Sequence, residues 1–260
     1  MGSDSHTPHP GGPHAAGGWP AHSLLGGLPP EEREDLLRLG SVQRFDSGET
    51  ILVEGDCDAR DVYVLLEGAV KCVSNTENGT SVLLSIRAEG DLIGELASLD
   101  DSPRLATIIT LRPCTARRIG QDSFLAFLRA HPGAALDVSR SVSAKLRNAT
   151  WHRVEYGSAS VPIRLARLLI QLADQHGTAG PEGTAIQLSL TQSEIAALAG
   201  AREPTVQKAL RSLREDGVIG IGYRRIIVRD GAALRAIAGI TEIPPEYGMG
   251  QSRCPHEESN

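Results

Sequence analysis

Residues 191–214 read TQSEIAALAGAREPTVQKALRSLR, and this stretch organises the rest of the chain. Thr191 followed three residues later by Glu194 is a capping box, so a helix starts there. Ile195 and Leu198 fall on its inner side, and Gly200 allows the tight turn that ends it. Thr205, Val206, Leu210 and Leu213 then recur at helical spacing. Two short helices joined in this way place the second across the major groove of a duplex, with its N-terminal residues near base edges. That N-terminus offers Arg202, Glu203, Thr205, Gln207 and Lys208, with Arg211 on the same helix. Arg and Lys pair with guanine, Gln with adenine, and Glu accepts from cytosine. The alternative is a plain helical hairpin inside a core. It is the weaker reading because the basic residues avoid the apolar positions.

Downstream, Val218-Ile219 and Ile226-Ile227-Val228 flank a Gly-led basic tip, Gly222-Tyr223-Arg224-Arg225. Two β-runs around such a tip predict a wing whose Arg224 and Arg225 lie against phosphates, which position without specifying sequence. The chain as a whole carries a net charge of −6. Residues 191–229 nevertheless hold seven basic against four acidic side chains. Charge alone does not separate a nucleic-acid face from a solvated one.

Upstream, a helix is expected over Val161–Gln175, a loop over His176–Thr184 and a short strand over Ile186–Leu188. Before them a long helix runs from about Gly133 to Glu155. Its apolar positions Leu136, Val138, Val142 and Leu146 form a stripe suited to a dimer seam, or to packing on its own domain. Phe124, Leu125, Phe127 and Leu128 mark a short helix that His131-Pro132 ends.

From Phe45 to about Arg118 the texture is β. Short apolar runs (50–53, 62–66, 69–73, 82–86 and 106–110) alternate with turns at Gly48, Gly55, Gly68, Gly79 and Gly90. Many short strands at regular spacing predict a sandwich or barrel. Pro29-Pro30-Glu31-Glu32 opens a short helix before it, with Leu36, Leu37 and Leu39 on its buried side. Residues 1–23 are rich in Gly, Pro and His, and 241–260 carry Pro244-Pro245 and a polar end; both read as tails. Aromatics are only 3% of the chain, so aliphatic side chains must fill the cores. Cys57, Cys72 and Cys114 read as small core residues and Cys254 as a tail thiol, with no metal-ligand spacing among them. No Ser/His/Asp order or phosphate loop suggests an enzyme. No run approaches the roughly 18 apolar residues of a membrane span, and no signal-peptide layout opens the chain, so a cytoplasmic protein is expected.

Together, FDSGETILVEGD (45–56), DVYVLLEGAV (61–70), GDLIGELASLDDSPRLAT (90–107) and the helix-turn-helix resemble the CRP/FNR superfamily, the relatives of the cyclic-AMP receptor protein. The resemblance covers roughly Phe45 to Val228 and implies an α+β chain. A cyclic-nucleotide-binding jelly roll (24–132) leads into a dimerisation helix (133–157) and a winged helix-turn-helix (158–240). The family's phosphate cassette falls on Gly94, Glu95, Leu96, Ala97 and Arg104. Arg104 would fork onto a cyclic phosphate, backbone N–H groups around Glu95, Leu96 and Ala97 would support it, and Glu95 would accept from the ribose 2′-hydroxyl. Leu105 stands where bacterial cyclic-AMP sensors place a serine. The paired hydroxyls that meet adenine fall on Ala149-Thr150, of which only Thr150 keeps one. One lost hydrogen bond weakens binding by about 0.5–1.5 kcal/mol. The implied ligand is cyclic AMP or another cyclic nucleotide; a different effector, or none, stays open. The cysteine cluster of the oxygen-sensing branch has no counterpart before Cys57. Glu203-Pro204 and Lys208 depart from the receptor protein's recognition helix, so a different operator is expected. The implied partners are a palindromic double-stranded DNA operator and a second copy of the chain. RNA polymerase would be met through the 176–184 surface.

Overall fold

The computed structural model describes residues 18–20, 23–75, 81–188, 190–222 and 225–240, except the side chains of 75, 81 and 151–158. Gly79, Tyr223, Arg224, Cys254, residues 1–17 and residues 241–260, named above, lie outside the described residues.

The N-terminal elements are α1 (Leu24–Gly27), α2 (Pro30–Arg38), β1 (Ser41–Phe45), β2 (Thr50–Leu52), β3 (Val62–Glu67), β4 (Ala69–Asn75), β5 (Ser81–Ala88), β6 (Leu92–Ile93), α3 (Glu95–Asp100), β7 (Thr107–Thr110) and β8 (Cys114–Ile119). The strands form two antiparallel sheets, ordered β1-β8-β3-β6 and β2-β7-β4-β5. Strand alternation explains the core. Tyr63, Leu65, Val70, Cys72, Ile108, Cys114 and Ala116 meet between the sheets. Val62 and Val64 point the other way, onto Leu25, Leu36, Phe124 and Phe127. Both faces of β3 are covered, which is why its sequence runs apolar without a break from Val62 to Leu66.

α4 (Gln121–Ala130) leads into α5 (Pro132–Ser158). The expected stripe on α5 divides. Val138 is buried against the protein's own N-terminal core, whereas Leu136 and Leu146 are 51% and 67% exposed. Cys57 is exposed, not a core residue as expected; its loop carries it outside both sheets, and Cys72 and Cys114 are the buried pair.

The C-terminal elements are α6 (Val161–His176), β9 (Gly177–Gly180), β10 (Gly183–Ile186), α7 (Gln192–Leu198), α8 (Glu203–Glu215), β11 (Ile219–Gly222), β12 (Arg225–Val228) and α9 (Gly231–Ile237). The loop expected over 176–184 is instead a hairpin. β9 and β10 pair with each other, and Thr184, Ala185 and Ile186 pair with Val228, Ile227 and Ile226 of β12. The sheet order is β11-β12-β10-β9, so the wing continues into this hairpin. Only Ile186 of β10 is buried, which leaves little apolar signal in the sequence. The strand accordingly ends at Ile186 rather than beginning there.

Candidate effector pocket and nucleic-acid interface

β6 ends at Ile93, and Gly94, with a φ of 80°, opens α3. A Cβ here would lie 2.7 Å from Arg104 Nη1 and 3.0 Å from the Asp61 carbonyl oxygen, so glycine is required twice over. Arg104 is 3% exposed. Its backbone is bonded to the 55–56 loop, receiving the Gly55 N–H (2.8 Å) and donating to the Asp56 carbonyl (3.0 Å). Its Nη1 donates to the Gly94 carbonyl (2.8 Å) and its Nη2 to the Asp61 carbonyl (2.7 Å). Nε is buried and makes no hydrogen bond among the described residues. Burial pushes the guanidinium pKa down, against the opposing fields of Asp56 and Asp61. A buried cation with one unpaired donor is costly unless an acceptor arrives.

Glu95 is 5% exposed, and Lys145 of α5 donates to it (2.9 Å) and to the Leu92 carbonyl (2.7 Å). Sequence reasoning does not single out Lys145. A signal exists all the same: it follows buried Val138 by seven residues, two turns along the same helix face. The structure thus brings Gly94, Glu95, Ala97 and Arg104 together, with Leu96 half-buried and Ala97 buried on α3. Leu105 is 67% exposed, and Thr150 stands exposed five residues beyond Lys145.

In the C-terminal part the capping box is present: Thr191 Oγ1 accepts the Glu194 N–H (3.2 Å) and Glu194 Oε2 accepts the Thr191 N–H (2.7 Å). Gly200 turns the chain at φ 58°. Val206, Leu210 and Leu213 bury one side of α8, while Thr205 is exposed and joins the outer face. Arg202, Glu203, Gln207, Lys208, Arg211 and Arg225 are exposed too. Gln207 donates to Glu203 (3.0 Å), so these two act on a ligand as a linked pair. Beside them a cleft of about 210 Å³ is lined by Gln192, Gln207, Leu210, Arg211, Arg214 and Ile221. Gln192 and Arg214 escape the sequence reading, although Arg214 lies one turn past Arg211.

The two halves of the chain share a core. Ala69, Val73, Leu83, Ile86, Ala88 and Leu111 lie in one buried cluster with Ile195, Leu198 and Val206. α7 packs on β5. Lys71 of β4 forms an ion pair with Glu194 across this junction. Burial pushes the Glu194 pKa up, but hydrogen bonds from Lys71 and Thr191 outweigh it and hold the carboxyl below its ordinary value. No described helix is long and apolar enough to cross a membrane.

Residues 42–131 match the Cyclic nucleotide-binding domain family, and residues 163–237 match the Crp-like helix-turn-helix domain family. The chain is 31% identical over 192 residues to the CRP-like cAMP-activated global transcriptional regulator of Mycobacterium tuberculosis, covering 73% of this chain and 84% of that one. It is 27% identical over 215 residues to the Cyclic AMP receptor protein of Thermus thermophilus, covering 83% and 96%. A solved CRP-family transcriptional regulator, also from Thermus thermophilus, superposes with a TM-score of 0.64 at 28% identity, over 76% of this chain and 96% of that one.

Proposed function

The chain belongs to the CRP/FNR family of DNA-binding transcription regulators, with an effector-binding cyclic-nucleotide-type domain and a Crp-like helix-turn-helix, and on that premise we propose that it works as a cytoplasmic homodimer switched by a cyclic nucleotide. Residues 24–132 form the sensing unit, 133–157 the dimer helix and 158–240 the DNA-reading unit.

The observation that carries this reading is the buried, unpaired Nε of Arg104 beside Gly94, with Glu95 linked by Lys145 to the long helix. A cyclic phosphate supplies the missing acceptor for Arg104, and the N–H groups of Leu96 and Ala97 flank it. The ribose 2′-hydroxyl competes with Lys145 for Glu95, and Thr150 offers one hydroxyl to the base. A ligand that alters the hold of Lys145 acts directly on α5, and through it on the spacing of the two recognition helices. It shifts that balance only by its differential affinity for the two arrangements. On DNA, Arg202, Glu203, Thr205, Gln207, Lys208 and Arg211 face the major groove of a palindromic operator, while Arg224 and Arg225 rest on phosphates. The β9–β10 hairpin is the surface offered to RNA polymerase.

One observation favours a second reading, an effector-independent regulator with a degenerate pocket. Both terminal nitrogens of Arg104 are already bonded to carbonyl oxygens, and Glu95 already has a counter-ion. Calorimetry with cyclic AMP and cyclic GMP, paired with DNA-binding isotherms with and without each, decides between them. The switched reading requires heat of binding and a change in DNA affinity from at least one nucleotide. Unchanged DNA affinity with every nucleotide leaves the second reading standing.

A further inference from the structure

The outer face of β4 carries Ala69, Lys71 and Val73, and the two apolar residues join the core shared with the helix-turn-helix. Lys71 therefore sits inside an apolar junction, its side chain 23% exposed and its partner Glu194 16% exposed. Glu194 divides its two oxygens: Oε2 closes the capping box of α7, and Oε1 meets Lys71. One carboxylate thus joins the start of α7 to the barrel. Apolar packing is non-directional and lets two surfaces slide. A charge pair enclosed in such a surface penalises every register in which either charge is left alone. Beyond α7, the Gly200 turn leads directly to α8, and Arg202 at its N-cap, Thr205 and Lys208 stay exposed while α7 is docked. The docked arrangement leaves the reading face open and fixes its direction.

We infer that Lys71 is a positioning residue for DNA recognition, holding α7 through Glu194 so that α8 keeps one orientation relative to the barrel. The inference rests on the dimeric reading above. Two recognition helices can enter successive major grooves together only if each is held at a fixed angle. Losing that angle lowers the effective concentration of the second helix at its half-site and leaves the first binding event alone.

The test uses the full chain and a duplex recovered by selection from a random-sequence pool, in its paired-half-site form and with one half-site scrambled. Lys71→Met and Glu194→Gln should each lower affinity for the paired duplex by about tenfold and change the single-half-site affinity by less than about twofold. Lys71→Arg, which keeps the charge, should restore the paired-site affinity. Equal loss on both duplexes, no loss on either, or tighter binding overturns the inference. If the unaltered protein does not favour the paired duplex, the dimeric reading fails first and this inference with it.

Discussion

Lys145 of α5 places its ammonium 2.9 Å from the Glu95 carboxylate and 2.7 Å from the Leu92 carbonyl, tying the long helix to the start of α3. Glu95 is 5% exposed, so its carboxylate depends on that partner. Lys145→Met should therefore lower folding stability by about 3 kcal/mol, because it strands a buried charge. Replacing both residues with Met should recover most of the loss. Urea unfolding of the two variants measures this directly.

Arg104 holds two strand-connecting segments together, and its buried Nε has no hydrogen-bond partner among the described residues. Arg104→Ala should abolish nucleotide binding in calorimetry. It should also cost about 1–3 kcal/mol of stability, since the Gly94 and Asp61 carbonyls lose their donors. Unchanged nucleotide affinity in the folded variant would show that Arg104 does not hold the phosphate.

Lys208 and Arg225 are both exposed, but one sits on the outer face of α8 and the other on β12. Lys208→Ala should cost about 1–3 kcal/mol on the preferred duplex and relax base preference at one position. Arg225→Ala should weaken all duplexes alike and flatten the salt dependence. Competition titrations against single-base operator variants, repeated at two salt concentrations, separate the two effects.

Local chemistry makes the DNA-reading segment legible in the amino-acid sequence. The Thr191–Glu194 box, Gly200 and the Val206-Leu210-Leu213 spacing each decide backbone geometry within one turn. The barrel is legible as texture but not strand by strand. β8 escapes because Arg117 and Arg118 interrupt its alternation, and β1 because most of its side chains face water. β9 and β10 depend on the sheet they share with β12, whose residues lie far along the chain, and no local pattern reports that pairing. The cassette residues Gly94, Glu95 and Arg104 are found by resemblance. Lys145 and the Lys71–Glu194 pair are not, because an ion pair between distant segments exists only once the fold has joined them.

The Glu194 carboxyl titrates below the ordinary glutamate value in the folded protein. Its contribution is therefore present at neutral pH and is lost as pH falls through that lowered value. Thermal melts from neutral pH downward should show the unaltered protein losing its advantage over Glu194→Gln only in acid, starting in the ordinary glutamate range and ending at the lowered folded value. An advantage that disappears while the pH is still near neutral would contradict the assignment.

In the proposed dimer, α8 reads DNA as one of a symmetric pair. Sequencing the genomic fragments that the purified protein retains, with and without cyclic AMP, tests it most directly. The expected result is an inverted repeat whose half-sites are centred about 10 base pairs, or about 34 Å, apart, and a changed motif when Lys208→Ala is used. Retention of unrelated fragments with no shared repeat, by both proteins alike, would contradict it.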